Sequence, residues 1–203
     1  MSETKVITGK VRFSYAHVHE AHAVEEGQTK KYSVSLLIPK SDTVTVSKIQ
    51  EAIKSALEAG KAKFGGKIPT NYKNPLRDGD TEREDDENYE GHFFVNANSA
   101  KKPGIVDATR SKEIMSEADY QARIRGKSEA EITAIDEKRS PEEFYSGCFG
   151  KASVNFYAFN VSGNKGIACG LNNLMKLEDG ENLGGSGASA EDDFGAEAAD
   201  DMM

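Results

Sequence analysis

Residues 147–159, GCFGKASVNFYAF, restrict the fold more than any other stretch, because buried-type apolar residues occur at every second position. One face is apolar and consists of Cys148, Ala152, Val154, Phe156 and Ala158. The opposite face carries Phe149, Lys151, Ser153, Asn155, Tyr157 and Phe159. Side chains along a strand point alternately to its two sides, so this pattern predicts a half-buried β-strand and excludes a helix here.

Four further segments predict strands. In residues 5–15 the alternation places Ile7, Val11, Phe13 and Tyr15 on the inner face. Residues 31–38 repeat the pattern, 92–97 form a short strand, and 166–177 follow a Ser-Gly-Asn turn that is typical of a tight hairpin. About five strands predict a mainly β domain, and a five-stranded barrel of the OB type matches that count. Periodicity alone does not separate such a barrel from another small β-fold.

The rest of the chain divides into a helix, a loop, an insertion and a tail. Residues 44–60 carry one apolar helical stripe, and residues 66–90 are polar and rich in turn formers. Residues 116–138 predict two short surface helices that begin near Ser116 and Ser128 and form a helical insertion. We therefore expect an OB-type domain over residues 1–177 and a disordered acidic tail over residues 178–203.

Charge is strongly segregated along the chain. The net charge is −8, yet residues 178–203 hold nine acidic residues and no Lys or Arg. Residues 78–90 hold eight acids against Arg83, a net of −7. With −9 in the tail segment and −7 in the loop, the rest of the chain carries +8. A basic body inside an acidic chain is the charge distribution expected of a nucleic-acid-binding domain with an acidic tail.

The sequence predicts a soluble, cytoplasmic protein without catalysis. It has no apolar signal region at its N-terminus and no run of 18 apolar residues. It also has no Gly-rich phosphate loop, CxxC pair or nucleophile–His–acid arrangement, so we expect neither an enzyme nor a cofactor.

Aromatic and basic side chains on outward strand faces are the candidate DNA contacts. Bases stack on aromatic rings in any sequence, and Lys and Arg contact phosphates. The stacking candidates are Tyr15, Phe149, Tyr157 and Phe159. Among these, Tyr15 is the exception, because the alternation assigns it to the core face. The phosphate candidates are Arg12, Lys31, Lys101, Lys102 and Lys151. The alternative for the three aromatic residues of 147–159 is packing under the helix or the insertion.

Two clusters allow a metal-dependent alternative. The stretch HVHEAH contains His17, His19 and His22 and resembles a two-metal hydrolase motif, but Ala21 replaces its ligating Asp. Asp78 and Asp80 place two carboxylates near each other in an acidic loop, and such a pair can hold Mg²⁺. Neither set is complete, so we expect no metal site, and a nuclease or phosphoesterase stays the alternative function.

The C-terminal segment combines acids with a few apolar residues. We expect it to compete with DNA for the basic body in cis and to dock on partner proteins. The candidate docking residues are Asp192, Asp193, Phe194, Asp200 and Asp201.

Seven segments, taken in order, resemble a family of single-stranded-DNA-binding proteins of tailed bacteriophages. They are VRFSYAHV (11–18), KYSVSLLIPKSD (31–42), NPLRDGD (74–80), GHFFVNANS (91–99), KKPGIVD (101–107), FYSGCFGKASVNFYAFN (144–160) and GNKGIACGLNNLMKLEDGE (163–181). The resemblance implies an OB-type barrel, sequence-independent binding of single-stranded DNA in phage replication or recombination within the bacterial host cytoplasm, and no catalysis. Replication or recombination proteins are the expected partners of the tail, and a homo-oligomer is left open. A non-catalytic phage protein that acts on the host is a further alternative.

Overall fold

The computed structural model of the chain describes residues 3–23 and 27–184, and this part is mainly β, as predicted. Its strands are β1 (Lys5–Ile7), β2 (Val11–His22), β3 (Lys31–Pro39), β4 (Arg77–Asp78), β5 (His92–Ser99), β6 (Gly104–Val106), β7 (Phe149–Val161) and β8 (Asn164–Glu178). Its α-helices are α1 (Thr43–Ala59), α2 (Gly79–Glu82), α3 (Glu117–Ile124) and α4 (Glu129–Asp136). The three strands beyond the predicted five are β1, β4 and β6, which are too short to show a periodic pattern.

Five long strands pair in a circuit. β2 pairs with β3, β3 with β5, β5 with β8, β8 with β7, and β7 again with β2. The β5–β8 pair is parallel and the other four are antiparallel. β1 extends the sheet beside β7, β4 pairs with β5, and β6 pairs with β8.

The hairpin of β7 and β8 supplies much of the core. Its turn contains Ser162 and Gly163, both with positive φ, which a tight two-residue hairpin turn requires. Ala152, Val154, Phe156 and Ala158 are buried, as the alternation predicts. Ile167, Cys169 and Leu171 of β8 are buried as well, in agreement with the sequence.

Helix α1 packs against the hairpin through its apolar stripe. The Asp42 carboxylate accepts a hydrogen bond from the amide of Thr45 at 3.0 Å and so caps the first turn. Val46, Ile49, Ile53 and Leu57 are buried, which confirms the predicted helix and its inner face. The helix ends at Ala59, and its C-cap Gly60 lies so close to Ala158 of β7 that a Cβ on this glycine would lie 2.1 Å from that side chain.

The first predicted strand differs from the structure in two ways. The strand is interrupted after Ile7, so β1 and β2 are separate strands. Val6 and Thr8 are buried, whereas Ile7 is exposed. The strand also extends beyond residue 15, because β2 continues through HVHEAH to His22 with irregular register against β3. Breaks and bulges shift the phase of the alternation, so a single pattern read across them assigns the wrong face.

The helical insertion is present where it was predicted. Ser116 caps α3 by accepting a hydrogen bond from the amide of Asp119, and Ser128 with Glu131 forms a capping box at α4. Neither helix has a buried residue. β8 reaches Glu178, one residue beyond the expected domain boundary, and the Leu183 amide donates to the carbonyl of Ser146 at 2.8 Å. The predicted docking residues of the tail lie outside the described residues.

Across the described ranges, no helix is long and apolar enough to cross a membrane.

Candidate nucleic-acid interface

A cleft of about 830 Å³ lies on the outer face of β2, β3 and β5. Ala23 and residues 27–29, which follow β2, line one side, and Arg83 reaches in from the loop after α2. The described residues that line it are Tyr15, His17, His22, Ala23, Gly27, Gln28, Thr29, Lys31, Ser33, Val34, Ser35, Arg83, Asn96, Ala97 and Asn98. Its floor is therefore made of small polar side chains on two central strands.

The described lining of the cleft carries positive charge, whereas the chain as a whole has a net charge of −8. None of the described residues that line it is Asp or Glu, whereas Lys31 and Arg83 are cationic. Within the described chain, neither of these two residues forms an ion pair with a carboxylate. Two unpaired cations beside a polar floor can attract and hold an anionic backbone.

Tyr15 projects into the cleft because β2 bulges at this point. The register against β3 shifts between Ser14 and His17, and Tyr15 adopts a positive φ of 47°. The preceding Phe13 and Ser14 are both buried, and Tyr15 is 51% exposed. The assignment of Tyr15 to the core face is therefore wrong, since the bulge turns the ring outward.

The acidic loop places its single basic residue against two tyrosine rings. The Cζ atom of Arg83 lies 5.9 Å from the ring centre of Tyr15 and 5.4 Å from that of Tyr89. Tyr89 anchors the loop, because it is buried edge-on against Phe94 and its hydroxyl donates to Ser35 Oγ at 3.2 Å. The loop thus fixes a guanidinium at the edge of the cleft.

A row of outward-facing residues connects the cleft to Tyr157. Ser33 pairs with Asn98, Asn98 with Gly170 of β8, and Gly170 with Asn155 of β7. Tyr157 lies two residues along from Asn155 on the same face and is 43% exposed. A Cβ at Gly170 would lie only 3.4 Å from Cε1 of Tyr157, so the ring lies directly on β8. Two exposed tyrosines therefore flank one continuous polar surface.

Arg12 and Phe149 meet at a different corner of the sheet. Arg12 donates to the carbonyls of Gly147 and Glu181 and to Asn88 Oδ1, at 3.3, 3.1 and 3.2 Å. Its Cζ atom lies 5.5 Å from the centre of the Phe149 ring. The residues just after β8 cover this pair, and Lys10 pairs with Glu178 beside them at 3.1 Å. The described protein therefore already engages the donors of Arg12.

The remaining predicted contacts lie away from the cleft. Lys102 forms an ion pair with Asp119 of the insertion, and Lys101 precedes it in the turn before β6. Lys151 lies opposite Met175, and Phe159 lies opposite Gly166, both on the β7–β8 hairpin. Tyr15, Lys31 and Tyr157 are thus the predicted residues that share the outer surface of β2, β3, β5 and β8.

The residues suggested for a metal site do not converge. The rings of His17 and His22 stack with centroids 4.4 Å apart, whereas His19 lines separate pockets with Lys102 and Phe144. Asp78 and Asp80 both bind the ammonium of Lys40, at 2.6 and 2.7 Å. These hydrogen bonds from Lys40 hold the pKa of Asp80 below its ordinary value. The described residues contain no group of three or more His, Cys, Asp or Glu side chains placed to share a metal ion.

Arg83, His17 and His22 line this surface, although the sequence pattern does not assign them to it. A lone cation among eight acids is the one sequence signal that marks Arg83. The bulges that bring His17 and His22 together leave no trace in the alternation, so the sequence indicates these histidines only as possible metal ligands.

Comparison with solved structures places this fold among phage single-stranded-DNA-binding proteins. The single-stranded DNA-binding protein from bacteriophage Enc34, solved in complex with ssDNA, matches with a TM-score of 0.69 at 23% identity. That match covers 89% of this chain and 90% of the other. The single-stranded DNA-binding protein gp2.5 of bacteriophage T7 matches with a TM-score of 0.53 at 14% identity, over 95% and 93% of the two chains. At these identities the likeness shows the shared fold.

The family assignment comes from the sequence itself. Residues 4–203 match the model of the family described as Enterobacter phage Enc34, ssDNA-binding protein. The chain belongs to this family. A further relative is protein p50 of Acyrthosiphon pisum secondary endosymbiont phage 1, which is 28% identical over 199 residues, covering 94% of this chain and 92% of the relative.

Proposed function

We propose that this protein binds single-stranded DNA without sequence preference and performs no catalysis. The strand lies along the cleft and continues over Asn98 and Gly170 towards Tyr157. Tyr15 and Tyr157 stack on bases, Lys31 and Arg83 contact phosphates, and the Ser and Asn side chains of the floor offer polar contacts.

The observation that carries this proposal is the combination of charge and exposed rings in one place. In a chain of net charge −8, the described lining of the cleft has two unpaired cations and no carboxylate. Two tyrosines that are 51% and 43% exposed flank the same surface. Stacking on a ring tolerates any base, which supports binding without sequence preference. Membership of a family described by ssDNA binding supports the same conclusion.

The strand circuit supports an OB-type barrel as the scaffold. Five strands, β2, β3, β5, β8 and β7, pair in a ring with one parallel pair. In OB folds the oligonucleotide binds on the face of the second and third strands, beside the loop between the first two. Here the corresponding strands are β3 and β5, which line the cleft together with the described residues that follow β2.

The acidic C-terminal segment completes the proposed mechanism. Tethered to the domain, it competes with DNA for Lys31 and Arg83 at a high effective concentration. Once DNA displaces it, its acids and Phe194 are available to replication or recombination proteins of the phage. We place this activity in the cytoplasm of the bacterial host.

Tyrosine fluorescence tests the proposal without a label, because the chain contains no Trp. Titration with oligo-dT, oligo-dA and a mixed sequence of equal length quenches the emission in each case, with affinities that agree within about tenfold. The proposed function is contradicted if none of the three oligonucleotides changes the tyrosine emission or the electrophoretic mobility of the protein at low salt.

A further inference from the structure

His17 and His22 of the HVHEAH stretch form a stacked pair that has no role among the DNA contacts proposed above. The rings of His17 and His22 lie 4.4 Å apart with their planes inclined by only 16°. Both line the cleft, where His17 pairs with Ser33 and His22 with Lys31 across β2 and β3. The two imidazoles therefore form one polar patch on the wall of the surface that receives DNA.

We propose, on the basis of the proposed function, that this pair is a proton-linked phosphate site, at which His17 takes up a proton when a DNA backbone phosphate enters the cleft and His22 lies stacked beside it. An imidazolium donates from both ring nitrogens and carries a full positive charge, so a phosphate is its natural partner. The site adds to the cleft a contact that Lys31 and Arg83 do not provide, because the charge of His17 depends on pH.

The charges around the pair favour this behaviour. The other titratable or charged described residues that line the cleft are Tyr15, Lys31 and Arg83, from β2, β3 and the acidic loop. On β2 itself, Glu20 is exposed and His19 lies with Lys102 in another pocket. No carboxylate among the described lining residues stabilises an imidazolium in the free protein. An incoming phosphate supplies the missing negative charge.

The sign of the linkage follows from the free protein. Burial first, and then the neighbouring His22, hold the pKa of His17 below its ordinary value. A phosphate beside the ring raises that pKa, because it favours the charged form. Binding therefore takes up a proton between the lowered pKa of the free protein and the raised pKa of the complex. DNA affinity rises as the pH falls through this window and is constant above it.

The test is the affinity for a labelled oligo-dT at constant ionic strength, in phosphate-free buffers from about pH 8 to about pH 5.5. We expect the dissociation constant of the full chain to fall roughly three- to tenfold over this range. Calorimetry at about pH 6.5 in two buffers of different ionisation enthalpy measures the proton uptake directly. Affinity that is flat with pH, together with no proton uptake, overturns the proposal.

Matched variants assign the effect to the pair. The double variant His17→Asn with His22→Gln loses the gain in affinity at low pH, and His22→Gln alone, at an exposed position, reduces it. His92→Gln is the control, because His92 lies at the start of β5 outside the cleft lining, with Nδ1 2.6 Å from the carbonyl of Glu90. A pH dependence that survives in His22→Gln and in the double variant overturns the assignment. Absence of DNA binding at every pH instead rejects the proposed function itself.

Discussion

The guanidinium carbon of Arg83 lies 5.9 Å from the ring centre of Tyr15, at the edge of the cleft. This contact joins the acidic loop to the bulge of β2, two elements that are 68 positions apart in the sequence by their residue numbers. It places a cation beside an exposed ring, so one base and one adjacent phosphate can be held together.

Arg83→Ala should weaken binding to oligo-dT by roughly tenfold, because a charge-assisted contact to a phosphate is lost. The slope of log K against log salt should become shallower by about 1. Fluorescence anisotropy over a salt series measures both quantities. Arg125→Ala, at the exposed end of α3, is the control and should leave them nearly unchanged. Equal losses in the two variants would mean that only total charge matters.

Tyr15→Ala and Tyr157→Ala should each weaken binding by about 1–3 kcal/mol, the range for losing one base stack. Phenylalanine at either position should retain most of the affinity, since the ring is preserved. The control is Tyr120→Ala in the insertion, whose hydroxyl donates to Asp136 at 2.7 Å and which lies outside the cleft lining. If the alanine variants are folded and bind like the unmodified chain, bases do not stack on these rings.

Arg12→Ala should lower the free energy of unfolding by about 1–3 kcal/mol, because two carbonyls and Asn88 lose a charged donor. Its side chain is only 17% exposed, so water replaces these bonds poorly. Urea unfolding measures the change. Lys10→Ala removes an exposed ion pair nearby and should cost less than about 1 kcal/mol. A large loss of DNA affinity in Arg12→Ala with unchanged stability would instead return this residue to the DNA contacts.

A chain that ends at Gly184 should bind oligo-dT more tightly than the full chain, and the difference should shrink as salt is added. The truncation removes six acidic residues and keeps Glu178 and Asp179, which pair with Lys10 and Lys176. A full-length variant with these six acids changed to Asn or Gln separates charge from length. Equal affinity of all three proteins at low salt would exclude competition by the tail.

The alternation predicted most of the fold and only part of the surface. It identified β3, β7 and β8, and a helical stripe identified α1, since the predicted inward residues of each element are buried. It assigned Ile7 and Tyr15 to the wrong face, because an interruption of the strand and a bulge each reverse the phase of a period-two pattern. The alternation also gives no reason for the burial of Leu37, which clusters with Tyr89 from a loop that has no periodicity of its own. Long-range packing of this kind is absent from any local pattern.

The most direct test compares oligo-dT with a duplex of equal length, by anisotropy at about 50 mM and about 200 mM salt. The proposed function predicts tight binding to the single strand, a marked loss at the higher salt, and at least roughly tenfold weaker binding to the duplex, whose bases are unavailable for stacking. Equal affinity for the two forms, or no binding to oligo-dT at the lower salt, would contradict it.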